Sequence, residues 1–200
     1  AMREGGEHGV EYAGSVAFSL PKLNIGGSAG MRYIPQVPAF LIDVGVELPN
    51  AIPLGSTGLG IYGFEAMFGR HFVVSKQAIG LSDEAPWFDY YKAPARGINP
   101  PKFFPIGGTS MGAGVLLGTS ADSGYAFSSR LFFLLSLPGV FLLEGEAQLL
   151  RKRVGFASQN RPPFYAFLAI TDSSVEAGLG VDYKIPASGS IAEISGALEL

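Results

Sequence analysis

The stretch Ala39–Gly69, AFLIDVGVELPNAIPLGSTGLGIYGFEAMFG, decides the fold. In its first arm Phe40, Ile42, Val44, Val46 and Leu48 alternate with Ala39, Leu41, Asp43, Gly45 and Glu47. A period of two is that of a strand with one buried face and one wetter face. Pro49 cannot donate to a ladder, so the strand is expected to stop at Leu48. A Pro/Gly-rich turn follows. The second arm, Leu59 to Phe68, is apolar on both faces and is expected to be covered on both.

Working outward, the same unit recurs. Leu20-Pro21, Leu137-Pro138 and Ile185-Pro186 each end an apolar-alternating run that is followed by another. The runs are Val10 to Leu20, Leu23 to Tyr33, Met111 to Thr119, Tyr125 to Leu137, Val140 to Leu150, Phe164 to Ile170, Val175 to Ile185 and Ile191 to Leu200. Short reversals join most of them, which favours antiparallel neighbours. The expected class is all-β: about ten mostly antiparallel up-and-down strands in a curled sheet, open barrel or sandwich, with the apolar face inside. The spacing is too uneven for a solenoid repeat.

One segment, His71 to Ser110, breaks the pattern and reads as a long insert within a single unit of residues 1–200. Ser82-Asp83-Glu84-Ala85-Pro86 is a helix start with a capping side chain and early acids, so a short helix to about Lys92 is expected. Pro94, Pro100, Pro101 and Pro105 exclude helix or central strand beyond it.

Composition sets further bounds. The 200 residues are 48% hydrophobic and 16% charged, enough for a substantial core. Twenty-eight glycines are about twice ordinary usage and fit a turn-rich chain. A net charge of −3 lacks the basic field that nucleic acid needs, and Arg151-Lys152-Arg153 reads as a solvated turn. Without cysteine there is no disulfide framework, zinc cluster or thiol nucleophile, and the compartment stays open. No run approaches the about 18 apolar residues of a membrane helix. The first ten residues resemble a cloning remnant more than a signal peptide. The last ones stop within an expected strand, as in a piece of something longer.

The segments VGVELPNAIPLGSTGLGIYGFEAMFG, FDYYKAPARGINPP and GAGVLLGTSADSGYAFSSRLFF resemble parts of very large bacterial and fungal proteins, classed as a domain of unknown function and rich in β-hairpins. The resemblance spans Val10 to Leu200. It implies a module of a larger β-rich protein and brings no catalytic residues with it.

Chemistry-bearing patterns are few. Glu144 and Glu146 share a strand face about 6.6 Å apart, within the separation of inverting glycosidase carboxylates, about 6.5–9.5 Å. Polar alternation on a solvated face gives the same spacing. His8 and His71 are the whole imidazole supply, with no triad signature around them. Gly107-Gly108-Thr109-Ser110-Met111-Gly112 lacks the Gly-Lys-Ser/Thr ending of a phosphate loop and reads as a strand entry. Trp87, Phe88, Tyr90, Tyr91, Phe103 and Phe104 form the strongest binding candidate, either a stacking platform or anchors that pin the insert over the sheet.

Four readings follow. The first is a non-enzymatic structural or interaction module of a larger β-rich assembly, partnered by neighbouring β segments of the same or another protein. The second is a carrier of a lipid or acyl chain inside a curled sheet. The third is an outer-membrane barrel, from strands near the about 9–11 residues needed to span. The fourth is a glycan hydrolase using Glu144 and Glu146. No cofactor and no nucleic acid enters any of them.

Overall fold

A computed structural model describes residues 2–4, 9–23, 25–92, 106–156, 163–185 and 192–199. It is one antiparallel meander of eleven strands, each paired with the strand before and after it. They are β1 (Met2–Glu4), β2 (Val10–Leu20), β3 (Ile25–Ile34), β4 (Ala39–Pro53), β5 (Leu59–Phe72), β6 (Ile106–Thr119), β7 (Phe127–Leu137), β8 (Val140–Leu149), β9 (Phe164–Thr171), β10 (Val175–Ile185) and β11 (Ala192–Glu199). The all-β, up-and-down reading holds, as a single sheet and not a sandwich. Among the described residues nothing pairs β11 back to the first strands, so the sheet is not closed.

Several strand boundaries differ from expectation, β5 running on to Phe72 among them, and two of the differences shape the sheet. Pro49 does not end β4; it ends the regular ladder. Pairing with β5 runs from Phe40 to Glu47, shifts register, and resumes at Ile52. A second irregularity lies in β5 between Ile61 and Gly63. Such bulges add twist and curvature, and the sheet curls enough for β4 to touch β6. β6 also starts earlier than expected, at Ile106, so Gly107 and Gly108 lie inside a strand. The insert between β5 and β6 therefore spans 73–105. Within it α1 runs from Trp87 to Lys92, after a turn in which the Ala85 N–H donates to the Ser82 carbonyl.

The ladder register sorts the side chains into rows across the sheet, and the polarity of the two faces is the reverse of the expected one. On the convex side three successive rows carry no polar residue. One runs Gly14, Met31, Ile42, Phe68, Met111, Leu135, Phe141, Ile170, Val175. The next runs Val16, Ala29, Val44, Ala66, Ala113, Phe133, Leu143, Leu168, Ala177. The third runs Phe18, Gly27, Val46, Phe64, Val115, Leu131, Gly145, Ala166, Leu179, Leu198. Most of the large side chains in these rows are exposed, Val16, Phe64, Phe133 and Leu179 among them. The expectation of an apolar inside is overturned: the alternation is right, but its apolar set faces out.

Small and charged residues take the concave side, as in the row Ala17, Ser28, Gly45, Glu65, Gly114, Phe132, Glu144, Phe167, Gly178. The buried core lies on this side, at the end where the insert enters. There Leu41, Met67, Leu134, Leu142, Phe167 and Ala169 of the sheet meet Val74, Trp87, Phe88, Tyr90 and Tyr91 of the insert.

Candidate functional site

The concave face is filled from both ends. From one end the insert brings α1 onto β9 and β10. Phe88 and Tyr91 stack on Phe167 at 5.3 and 5.6 Å between ring centroids, with Tyr165 flanking both. Trp87 meets Tyr90 edge-on at 5.4 Å. The Trp87 backbone N–H donates to Glu176 Oε2 at 2.7 Å, and Lys76 Nζ sits 4.8 Å over its ring. A glycine at 178 makes this approach possible. A Cβ there would lie 2.6 Å from the Phe167 ring and 3.1 Å from Phe88.

Trp87, Phe88, Tyr90 and Tyr91 are thus brought together and buried, Trp87 to 6% exposure and Tyr91 to 2%. Their faces are spent on one another and on the sheet. Phe103 and Phe104 lie outside the described residues.

From the other end a strap, residues 151–156 after β8, crosses the concave side. The Phe156 N–H donates to Glu47 Oε1 at 2.9 Å, Arg153 Nη2 reaches the Leu48 carbonyl at 3.3 Å, and the Val154 N–H donates to Ser128 Oγ at 3.1 Å. The Arg153 guanidinium lies 4.0 Å over the Tyr62 ring. Arg151 reaches the opposite side, donating to the Lys184 carbonyl at 2.7 Å. The Arg-Lys-Arg run, expected as a solvated turn, spends two of its cations inside. A Cβ on Gly63 would lie 3.0 Å from both Phe156 and Leu116, so the strap needs that small residue beneath it.

The concave face also carries ion pairs. Glu11 and Arg32 make a two-bond pair, Nε to Oε1 at 2.7 Å and Nη2 to Oε2 at 3.1 Å, with both side chains buried. Arg130 Nη2 bonds Glu65 Oε2 at 2.9 Å. Sequence reasoning missed these pairs. Their signal was the common phase of Asp43, Glu47 and Glu65, but nothing local shows that a wetter face turns inward.

Glu144 and Glu146 also face inward, Glu146 directly opposite Arg130 and Tyr165. His71 Nδ1 donates to the Val37 carbonyl at 2.9 Å, which leaves the ring a structural role; His8 lies outside the described residues. Among the described residues no cluster of three His, Cys, Asp or Glu could hold a metal ion.

Outward, the chemistry is uniform. Among the described side chains of the strands, Arg70 is the one charged group on the convex rows. It stands at the rim, in a row with Tyr33, Phe40, Thr109 and Leu137. No described helix is long and apolar enough to cross a membrane. Compared with known proteins, the chain matches no family model, no curated protein and no solved structure.

Proposed function

We propose that this chain is a non-enzymatic structural module: a membrane-embedded wall of a β-barrel-type assembly, with its convex face against lipid acyl chains and neighbouring β segments at its sides. The observation that carries the reading is the trio of convex rows without a polar residue, set against a concave face that holds the charges. Water-exposed antiparallel sheets alternate the other way, with apolar residues in. A contiguous apolar surface beyond a few hundred Å² is rare on a soluble monomer. In lipid the same arrangement is favourable, because barrel strands place apolar side chains outward and polar ones toward the lumen.

Strand length agrees. β2 to β8 and β10 have 10–15 residues, against the about 9–11 that a tilted strand needs to span. Tyr12, Tyr33 and Phe40 stand beside Arg70 at one rim, where barrels carry aromatic girdles. An open depression of about 690 Å³ on the convex face, lined by Leu131, Gly145, Ala166, Leu179 and Leu198 among others, is apolar, as a surface against acyl chains would be. The carrier reading puts the acyl chain on the concave side, where aromatic rings and ion pairs already occupy the space.

Flotation tests the proposal. The chain should need detergent for extraction and should float with phosphatidylcholine–phosphatidylglycerol vesicles after an alkaline wash. A monodisperse protein in plain buffer that stays at the bottom of the gradient would reject it.

A further inference from the structure

Arg70 differs from the other arginines of the sheet. Arg32 and Arg130 face inward and pair with Glu11 and Glu65. Arg70 faces outward and is exposed, and among the described residues no carboxylate or other acceptor is bonded to it. The register sets Phe40 directly opposite it on β4 and Thr109 directly opposite it on β6. Tyr33 and Tyr12, both exposed, continue the same row beyond Phe40. The Phe40 ring leans on Phe68 at 5.8 Å between centroids. This row is a border. On one side of it Phe68, Ala66 and Phe64 of the same strand enter the three apolar rows in turn. On the other, β5 ends at Phe72 and the insert begins.

We propose that Arg70 binds the phosphate of an anionic phospholipid whose acyl chains lie along the convex rows, and that it thereby holds the insert end of the sheet at the headgroup layer. The proposal rests on the membrane reading and adds to it a ligand and an orientation. Arginine presents a planar fork of N–H donors that matches two phosphate oxygens at once. Its aliphatic stem can lie on apolar surface while the guanidinium reaches the interface. Directly opposed Cβ atoms lie about 4.5–5.5 Å apart, so the Thr109 hydroxyl starts beside the guanidinium as a second donor to the same headgroup. A cation on the lipid-facing side is costly at mid-depth and tolerated near the interface, and the sequence places one in the border row and none in the next three. Tyrosines in that row suit the same layer, with ring in the acyl boundary and hydroxyl in water. Phosphatidylglycerol fits the site better than phosphatidylcholine, whose own trimethylammonium group competes for the phosphate.

The test is native mass spectrometry of the chain carried from equimolar phosphatidylcholine–phosphatidylglycerol vesicles into detergent. The parent should retain phosphatidylglycerol several-fold over phosphatidylcholine. Arg70→Gln should retain the two equally, and Arg70→Glu should favour phosphatidylcholine. Arg70 is exposed, so neither change removes a buried contact; should one variant lose its β-sheet circular dichroism, the other decides. Soluble glycerol phosphate should leave the bound lipid in place, because acyl chains hold it as well as phosphate. Flotation of the parent is scored separately. A parent that does not float rejects the membrane reading and this proposal with it. A parent that floats but shows no preference for phosphatidylglycerol, or whose preference survives in a folded variant, overturns this proposal alone. Displacement of the lipid by glycerol phosphate overturns it too, by making a soluble phosphate ester the ligand.

Discussion

Asp122 shows how one side chain sets a turn in this sheet. Between β6 and β7 its carboxylate accepts from the Thr119 hydroxyl and from the backbone N–H groups of Gly124, Tyr125 and Ala126, the last at 2.6 Å. Asp favours such turns because its oxygen substitutes for a backbone acceptor. The Thr119 hydroxyl bond, with the three backbone bonds, holds the carboxyl below the ordinary carboxylate range, against a smaller opposing effect of burial. A lowered folded value means that the stabilisation is complete above the unfolded value, near 3.8, and is lost as pH falls through the folded one. Asp122→Ala should therefore lower the melting temperature modestly at neutral pH, and the gap from the parent should shrink in acid below that range. Trp87 makes the opposite case, a residue whose value is packing. With 6% of its surface exposed, Trp87→Ala should cost about 3–5 kcal/mol in denaturant unfolding. A ligand-facing ring would lose little stability on the same change.

At the scale of elements, the two inward fillings hold the curl. The aromatic stack of α1 on β9 and β10 depends on the bare backbone of Gly178, so Gly178→Leu should push Phe88 off Phe167. The expected result is a loss of near-ultraviolet circular dichroism from the stacked rings, with the far-ultraviolet sheet signal retained. Unchanged aromatic dichroism would mean that the insert docks some other way. The strands were legible in the sequence because period-two alternation and Pro-terminated runs are local signals. β2 and β10 were bounded correctly from residues alone. β4 overran its proline because the ladder with β5 resumes beyond it at Ile52, with a bulge taking up the missing donor. The aromatic cluster was legible as a group, whereas its partners, Phe167 and Tyr165, are far away in sequence. Which face turned inward was not legible. Alternation gives two faces without a sign, and the sign came from the insert and the strap that fold into one of them.

The whole molecule is a sheet with its water-avoiding side outward. Eleven strands in sequential antiparallel order let every neighbour pair through a reversal, and the concave face buries Glu11 with Arg32 and half-buries Glu65 with Arg130. Charge is tolerated inside such a sheet when it is paired and hydrogen-bonded, and is costly on a lipid-facing side, about 2–4 kcal/mol for Arg or Lys at the bilayer midplane. The absence of any such group from the three convex rows is what the lipid reading demands. The most direct measurement places single-cysteine fluorophores along the central convex row, at Ala29, Val44, Ala66 and Ala113, and on the concave face at Ser28, in protein reconstituted into vesicles. Lipids carrying a quencher at mid-chain depth should quench all four convex labels and spare Ser28, while aqueous iodide leaves the convex labels bright. Convex labels quenched by iodide and indifferent to the lipid quencher would contradict a membrane-facing sheet.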